Sequence, residues 1–403
     1  MRQFQDRLEA LQHDGDASVT DVVDFVIAAG IERRASDIHF EPLPDALAVR
    51  FRLDGLLAEW GRLPPGLAPN VVARLKVMAD LLTYRLDIPQ EGRIREFHGP
   101  GALDGPGTNG IDLRVATFPT IHGEKAVVRV FDPARRTFTL ETLGFAPDVI
   151  DGLRALVSRP DGMLLLTGPA GSGKTTTIYA CLREIVAITG VARQVVTIED
   201  PVEVGLEGVT QTQTNPAAGL TFVTGLRSLM RQDPQVILVG EIRDAETAHA
   251  AIEVGLTGHL VISTIHAGTA VGVFTRLIEM GIEPSLVTSV VRSVLAQRLV
   301  RVLCPACKAE GEPGSFEPVG CDACAGVGYD GRTAIGELLN VGPDLRRAVI
   351  ARADVTDLAE AARKTGYRNL AEDGGRLVRA GVTSMDELRR ILPGQSSLIE
   401  NAL

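Results

Sequence analysis

The sequence predicts an α/β chain in two parts: a mostly parallel sheet covered by helices on both faces, preceded by a smaller α+β unit and interrupted near its end by a short cysteine module. Three observations carry this. Four short apolar runs, Met163–Thr167, Val195–Ile198, Val236–Val239 and Leu260–Ser263, alternate with helical patterns, the order that builds a parallel sheet. Ahead of them, residues 46–55 alternate apolar and charged side chains with period two and end on Asp54-Gly55, a hairpin signature. Behind them come two Cys-x-x-Cys pairs, Cys304/Cys307 and Cys321/Cys324.

At 403 residues the chain is long enough for two or three domains. We place a short polar tail over 1–17, an N-terminal α+β domain over 18–135 and a linker over 136–146. The main domain follows over 147–403, with the cysteine module at 300–332 and C-terminal helices at 342–395. In the first domain, the apolar stretch 22–29 reads as a helix, and Ile111–Val115 and Lys125–Val130 read as strands. The Gly/Pro-rich segment 99–107 reads as an exposed loop.

Charge and composition narrow the function. Lys plus Arg number 41 and Asp plus Glu 51, a formal net charge of −10. This argues against general nucleic-acid binding, which needs clustered cations to displace counterions from phosphates. No segment approaches the roughly 20 uninterrupted apolar residues of a membrane-spanning helix. The acid-containing start, with no apolar stretch behind it, argues against a secretory leader and for a cytoplasmic protein. Paired cysteines in that setting point to metal more than to disulfides.

The chemistry begins at Gly168-Pro169-Ala170-Gly171-Ser172-Gly173-Lys174-Thr175, an eight-residue phosphate-binding pattern between a buried strand and a helix opening at Thr176. Glycines let backbone N–H groups turn toward phosphates, and the helix N-terminus adds partial positive charge. Lys174 reaches the outer phosphates and the Thr175 hydroxyl can ligate Mg²⁺. Residues 168–176 are therefore the predicted ATP-binding set. Glu241 closes the third apolar run, where a Walker B acid contacts Mg²⁺, and Glu199 closes the second, where a carboxylate can orient or deprotonate the attacking water. His266 ends the fourth run and can sense the γ-phosphate by hydrogen bonding; His259 lies seven residues before it. Lys174, Glu199, Asp200, Glu241 and His266 are expected in one crevice, because ligands of parallel sheets bind beyond the carboxyl ends of the strands. The four cysteines suit a closed tetrahedral zinc site, structural and not catalytic.

Together, residues 35–42 (ASDIHFEP), Arg50–Gly55, the Walker loop, Ile198–Glu203, Val239–Asp244 and the run from Gly258 to His266 closely resemble the type II secretion and type IV pilus assembly ATPases, from about Val19 to near the C-terminus. The resemblance implies a RecA-like P-loop NTPase core and a PAS-like N-terminal domain. It implies a homo-hexameric ring whose ATP hydrolysis drives pseudopilus or pilus assembly and protein export through an inner-membrane platform protein, with the ring held at the cytoplasmic face of that membrane by its partners. It makes the Glu199 segment an Asp box and the His266 segment a His box, and directs Arg93 and Arg114 toward the nucleotide, where a guanidinium can stabilise charge on the transferred phosphate. Assembly ATPases of the family often carry the cysteine module and retraction ATPases generally lack it, so assembly is expected ahead of retraction or DNA uptake. The extra N-terminal domain with which many members dock on a membrane-anchored adaptor is not seen in this sequence. Recruitment is thus expected through the short tail, the first globular domain or a separate partner.

Two other classes are weighed. A small-molecule kinase would need an acceptor pocket that nothing in the sequence suggests. A nucleotide-dependent structural ring with little turnover would not need Lys174, Glu199 and Glu241 all intact.

Overall fold

A computed structural model describes residues 2–13, 18–94, 97, 111–132, 138–311, 315–364, 366–394 and 398. The segment read as a loop at 99–107 lies outside them. The chain divides into two units, 1–136 and 137–403.

In the first unit the alternation of apolar and charged residues becomes a two-faced antiparallel sheet. Helices α1 (Arg2–His13) and α2 (Val19–Glu32) precede strands β1 (Asp37–Pro42), β2 (Leu47–Leu53) and β3 (Leu56–Leu63); helix α3 (Ala68–Met78) leads to β4 (Gln90–Ile94), β5 (Asp112–Thr120) and β6 (Gly123–Phe131). The strand order is β3-β2-β1-β6-β5-β4. Alternate residues such as Phe40, Val49, Phe51, Val115 and Val128 are buried with Val26 and Ile27 of α2 and Leu75 of α3. Helix α2 starts cleanly because Ser18 and Asp21 form a reciprocal capping box, worth about 1 kcal/mol.

The N-terminal residues correct the sequence reading. Residues 2–13 are a helix, not a polar tail: Phe4 and Leu8 are buried, and Phe4 stacks on Phe25 at 5.2 Å and meets Trp60 edge-on at 6.0 Å. Gly61 of β3 admits this contact, since a Cβ there would come within 2.7 Å of Gln5 Oε1. One apolar pair a helical turn apart escapes notice in so polar a segment.

The opposite sheet face is ionic. Arg52, Asp37 and Arg129 are cross-strand partners in register on β2, β1 and β6, and Arg129, Arg114 and Arg93 continue the row onto β5 and β4. Asp37 bonds Arg129 at 3.1 Å and Arg52 at 3.4 Å.

The second unit opens with helix α4 (Pro147–Val157), then β7 (Gly162–Thr167), α5 (Lys174–Thr189), β8 (Val195–Glu199), β9 (Thr210–Gln213), α6 (Phe222–Leu229), β10 (Val236–Ile242), α7 (Ala245–Leu256) and β11 (Leu260–Ile265). Helices α8 (Gly272–Glu279) and α9 (Pro284–Val290) lead into the long strand β12 (Val291–Leu303); short strands β13 (Lys308–Glu310) and β14 (Phe316–Pro318) precede β15 (Tyr329–Asn340), and helices α10 (Pro343–Ile350), α11 (Val355–Arg363), α12 (Leu370–Arg379) and α13 (Met385–Ile391) follow. The sheet order is β15-β12-β7-β11-β10-β8-β9, parallel throughout except for β15 against β12. The four apolar runs are its centre, and one core packs on each face. Leu140, Leu143, Phe145 and Ala146 are buried in one of those cores, so the stretch read as the end of a linker is part of this unit. Its phenyl and aliphatic side chains give it a face to bury.

Candidate active site

The phosphate loop is shaped by close approach. Gly168 has φ +148°, and a Cβ there would lie 2.6 Å from the Gln297 carbonyl; Gly173 has φ +90°, with Gln297 Nε2 3.2 Å from where a Cβ would sit. Both positions therefore require glycine. Lys174 heads α5 and donates to the carbonyls of Gly168 at 2.7 Å and Pro169 at 3.0 Å. Burial lowers the pKa of its ammonium and the Glu241 charge partly restores it, so the charge is poorly solvated where an anion would compensate it. Thr175 and Thr176 occupy the first turn of the helix.

The acids arrive from neighbouring strand ends. Glu199, the last residue of β8, is buried. Its Oε2 accepts from Tyr179 Oη at 2.5 Å, and its Oε1 from Thr197 Oγ1 at 2.6 Å and Gln211 Nε2 at 3.0 Å. Glu241 sits on a bulge. Val239 pairs with Ser263 but Ile242 pairs with Ile265, so β10 carries one residue more than β11, which re-aims the strand's end. Its carboxylate contacts Arg243, whose own pKa is raised by that hydrogen bond, and lies 3.8 Å from His266 Nε2.

Lys174, Thr175, Glu199, Glu241 and His266 line a single crevice of about 230 Å³, together with Tyr179, Asp200, Glu203 and Thr264. His259 lies elsewhere. It precedes β11, at the opposite end of the strand from His266, and its Nδ1 is 2.9 Å from Thr257 Oγ1 and 3.2 Å from the Val254 carbonyl. Arg93 and Arg114 belong to the first unit, where both bond Asp112, at 2.5 and 3.4 Å, and Arg114 stacks 4.7 Å from the Phe131 ring.

Several residues that serve the crevice escaped the sequence reading. Gln297 Nε2 donates to the Ser172 carbonyl at 2.7 Å and Arg298 to the Gly268 carbonyl at 3.1 Å, so β12 braces both the phosphate loop and the segment after His266. Thr167 and Ala267 bond each other reciprocally, at 2.8 and 2.9 Å. The available signal was a pair of polar residues, Gln297 and Arg298, set inside an apolar run.

The four cysteines converge, with every pair of sulfurs within 4.8 Å. Cys304 and Cys321 are 3.9 Å apart, Cys307 and Cys324 3.7 Å, and Cys321 and Cys324 3.8 Å. Four thiolates about 2.3 Å from one zinc would stand about 3.8 Å from each other, so the donor set fits that ion. The N–H groups of Cys321 and Gly328 donate to Cys324 Sγ at 3.2 and 3.1 Å, as they would to a thiolate. The thiols remain free of disulfides.

A phosphate loop, a bulged acid-bearing strand and a second acid at the carboxyl edge of the parallel strands define a P-loop NTPase. The family comparison agrees, and the chain belongs to the type II/IV secretion system protein family, whose model matches residues 12–390. It is 43% identical over 383 residues to the type II secretion system protein HxcR of Pseudomonas aeruginosa, covering 95% of this chain and 79% of that one. Against the type II secretion system ATPase E of Vibrio cholerae the figures are 41% over 399 residues, 95% and 77%. Against the type IV pilus assembly ATPase PilB of Thermus thermophilus they are 42% over 381 residues, 90% and 42%. Two solved structures share the fold: the pilus retraction motor PilT with bound ADP, at TM-score 0.62 and 22% identity over 94% of this chain and 99% of that one, and the ATPase DotB of Legionella pneumophila, at 0.66 and 21% over 91% and 94%. Among the described residues no helix is long and apolar enough to cross a membrane.

Proposed function

We propose that this chain is a motor ATPase that converts ATP and water to ADP and phosphate and uses the turnover to drive pseudopilus or pilus assembly and protein export. The observation that carries the chemistry is the convergence of Lys174, Thr175, Glu199, Glu241 and His266 on one crevice. The names of relatives at 41 to 43% identity support the task.

In this reading the loop N–H groups and Lys174 hold the phosphates, and Lys174 leaves its carbonyl partners for them. Thr175 and Glu241 are hard oxygen donors on the crevice wall, suited to Mg²⁺, which when bound neutralises charge on the β- and γ-phosphates. Glu199 accepts a proton from the attacking water as the water oxygen bonds to the γ-phosphorus and the bond from that phosphorus to the ADP oxygen breaks. His266, beside Glu241, meets the γ-phosphate and reports its departure. Arg93 and Arg114 of the first unit complete the site against developing charge once that domain closes on a core, within a homo-hexamer. The ring acts on a platform protein at the cytoplasmic face of the inner membrane, recruited there by partners such as a membrane-anchored adaptor. Cys304, Cys307, Cys321 and Cys324 hold one structural zinc, which cross-links a segment too short for a core of its own.

The test is hydrolysis as a function of protein concentration and of mixing. The rate should rise more than linearly through the assembly range, and Arg114→Ala should keep ATP binding while losing rate. If the arginines act across subunits, Arg114→Ala and Lys174→Ala chains, inactive alone, recover part of the rate in mixed rings. Full activity in an isolated monomer would overturn the ring.

A further inference from the structure

We propose that Tyr179 is a positioning residue that ties the carboxylate of Glu199 to the phosphate end of α5, so that a single helix turn sets the distance between the nucleotide's γ-phosphate and the group that activates water. The inference rests on the role given to Glu199 above and deepens it.

The geometry is specific. Tyr179 lies four residues after Thr175 on α5, so the two occupy one face about 6 Å apart at Cβ. The helix that presents the Thr175 hydroxyl to the crevice therefore also presents the Tyr179 phenol. That phenol donates to Glu199 Oε2 at 2.5 Å and accepts from the Glu203 N–H at 3.4 Å. It thus joins α5 to the end of β8 and to the acidic loop that follows. Its ring is buried in the core beneath, which fixes the lever.

Gln211 of β9 acts from the other side. Its Nε2 donates to Glu199 Oε1 and to the Val204 carbonyl at 3.1 Å, while its Oε1 accepts from the Leu206 N–H at 2.6 Å. With Thr197, three donors from three elements hold both oxygens of Glu199, two on Oε1 and one on Oε2, which leaves an acceptor position on Oε2 for a water. A carboxylate held this way is fixed in orientation, as a group that must take a proton from one water requires. Burial and the Glu199 charge both raise the pKa of the Tyr179 phenol, so Tyr179 remains a donor across the working range.

Tyr179→Phe keeps the buried ring and deletes only the donor. We expect ATP affinity to stay within about twofold and kcat to fall about tenfold or more, a part of the 10²- to 10⁴-fold that a positioned base supplies. The decisive reading is the cycle with Glu199→Gln: if Tyr179 works through Glu199, the double variant is no slower than Glu199→Gln alone. Gln211→Leu, on an edge strand, gives the same reading should Tyr179→Phe fold poorly. A parental kcat in both Tyr179→Phe and Gln211→Leu, or rate losses that multiply with that of Glu199→Gln, would overturn the inference. Glu199→Gln turning over at the parental rate would instead defeat the reading of Glu199 on which it stands.

Discussion

The phosphate crevice and the cysteine module sit on the same strand and are built in opposite ways. At Gln297, β12 braces the phosphate loop, and six residues further on it ends one position before Cys304. The crevice is assembled by the protein itself. Its Glu199 carboxylate is held by Tyr179, Thr197 and Gln211 from three elements, and its loop is fixed by glycines and by Gln297. The module has two strands of three residues each. Beyond the sulfurs, the Lys308 ammonium bonds the Gly381 carbonyl at 2.8 Å and lies 5.0 Å from the Phe316 ring. One site is organised by a core, the other by four converging sulfurs suited to an ion.

The comparison breaks first at Lys174. Lys174→Ala should abolish detectable ATP binding in an equilibrium assay while leaving zinc content and thermal midpoint near parental values, because the ammonium bonds only the loop carbonyls of Gly168 and Pro169 among the described residues. A loss of zinc together with nucleotide would show that the two sites are not independent.

Second comes the metal. Cys304→Ser or Cys321→Ser should lower zinc from about one per chain to none by elemental analysis. Proteolysis or hydrogen exchange should then open 304–328 well before the central strands. Protein purified without chelator and free of zinc would refute the assignment.

A smaller effect is expected where β12 touches the loop. Gln297→Leu removes the donor to Ser172 but keeps the volume, and should weaken ATP binding several-fold, consistent with about 1 kcal/mol for one hydrogen bond. An unchanged affinity would reduce Gln297 to packing.

The smallest effect follows from pH. Burial would raise the pKa of Glu387, but its bonds to Arg390 and Arg301 outweigh that and hold it below the usual carboxylate value. A depressed carboxylate contributes stability above its unfolded pKa of about 4.3 and loses it as pH falls toward the native value. Hydrogen exchange in α13 should thus quicken below about pH 4, ahead of the β7 to β11 sheet. Equal quickening in Glu387→Gln would refute the link.

What was legible in the sequence follows the same division. The convergence of the phosphate loop, Glu199 and Glu241 on one crevice, and of the four cysteines on one point, was legible because each lies in a short local pattern or at the end of an apolar run. The centre of the parallel sheet was legible because its strands are uninterrupted apolar runs. Strands β12 and β15 were not, since their polar residues (Gln297, Arg298, Glu337) point to long-range partners that a local pattern cannot show: Glu337 accepts from the Ala270 N–H at 3.1 Å, 67 residues away. The clamp on Glu199 was hidden for the same reason. Tyr179 reads as an ordinary helix residue until β8 is laid beside α5.

The central claim, that this crevice hydrolyses ATP with Glu199 activating water, is tested most directly by identifying the nucleotide retained by Glu199→Gln after incubation with Mg²⁺ and ATP. The account predicts intact ATP on the variant and ADP on the parent, with phosphate release by the variant reduced at least about 100-fold. ADP on both, formed at equal rates, would contradict it.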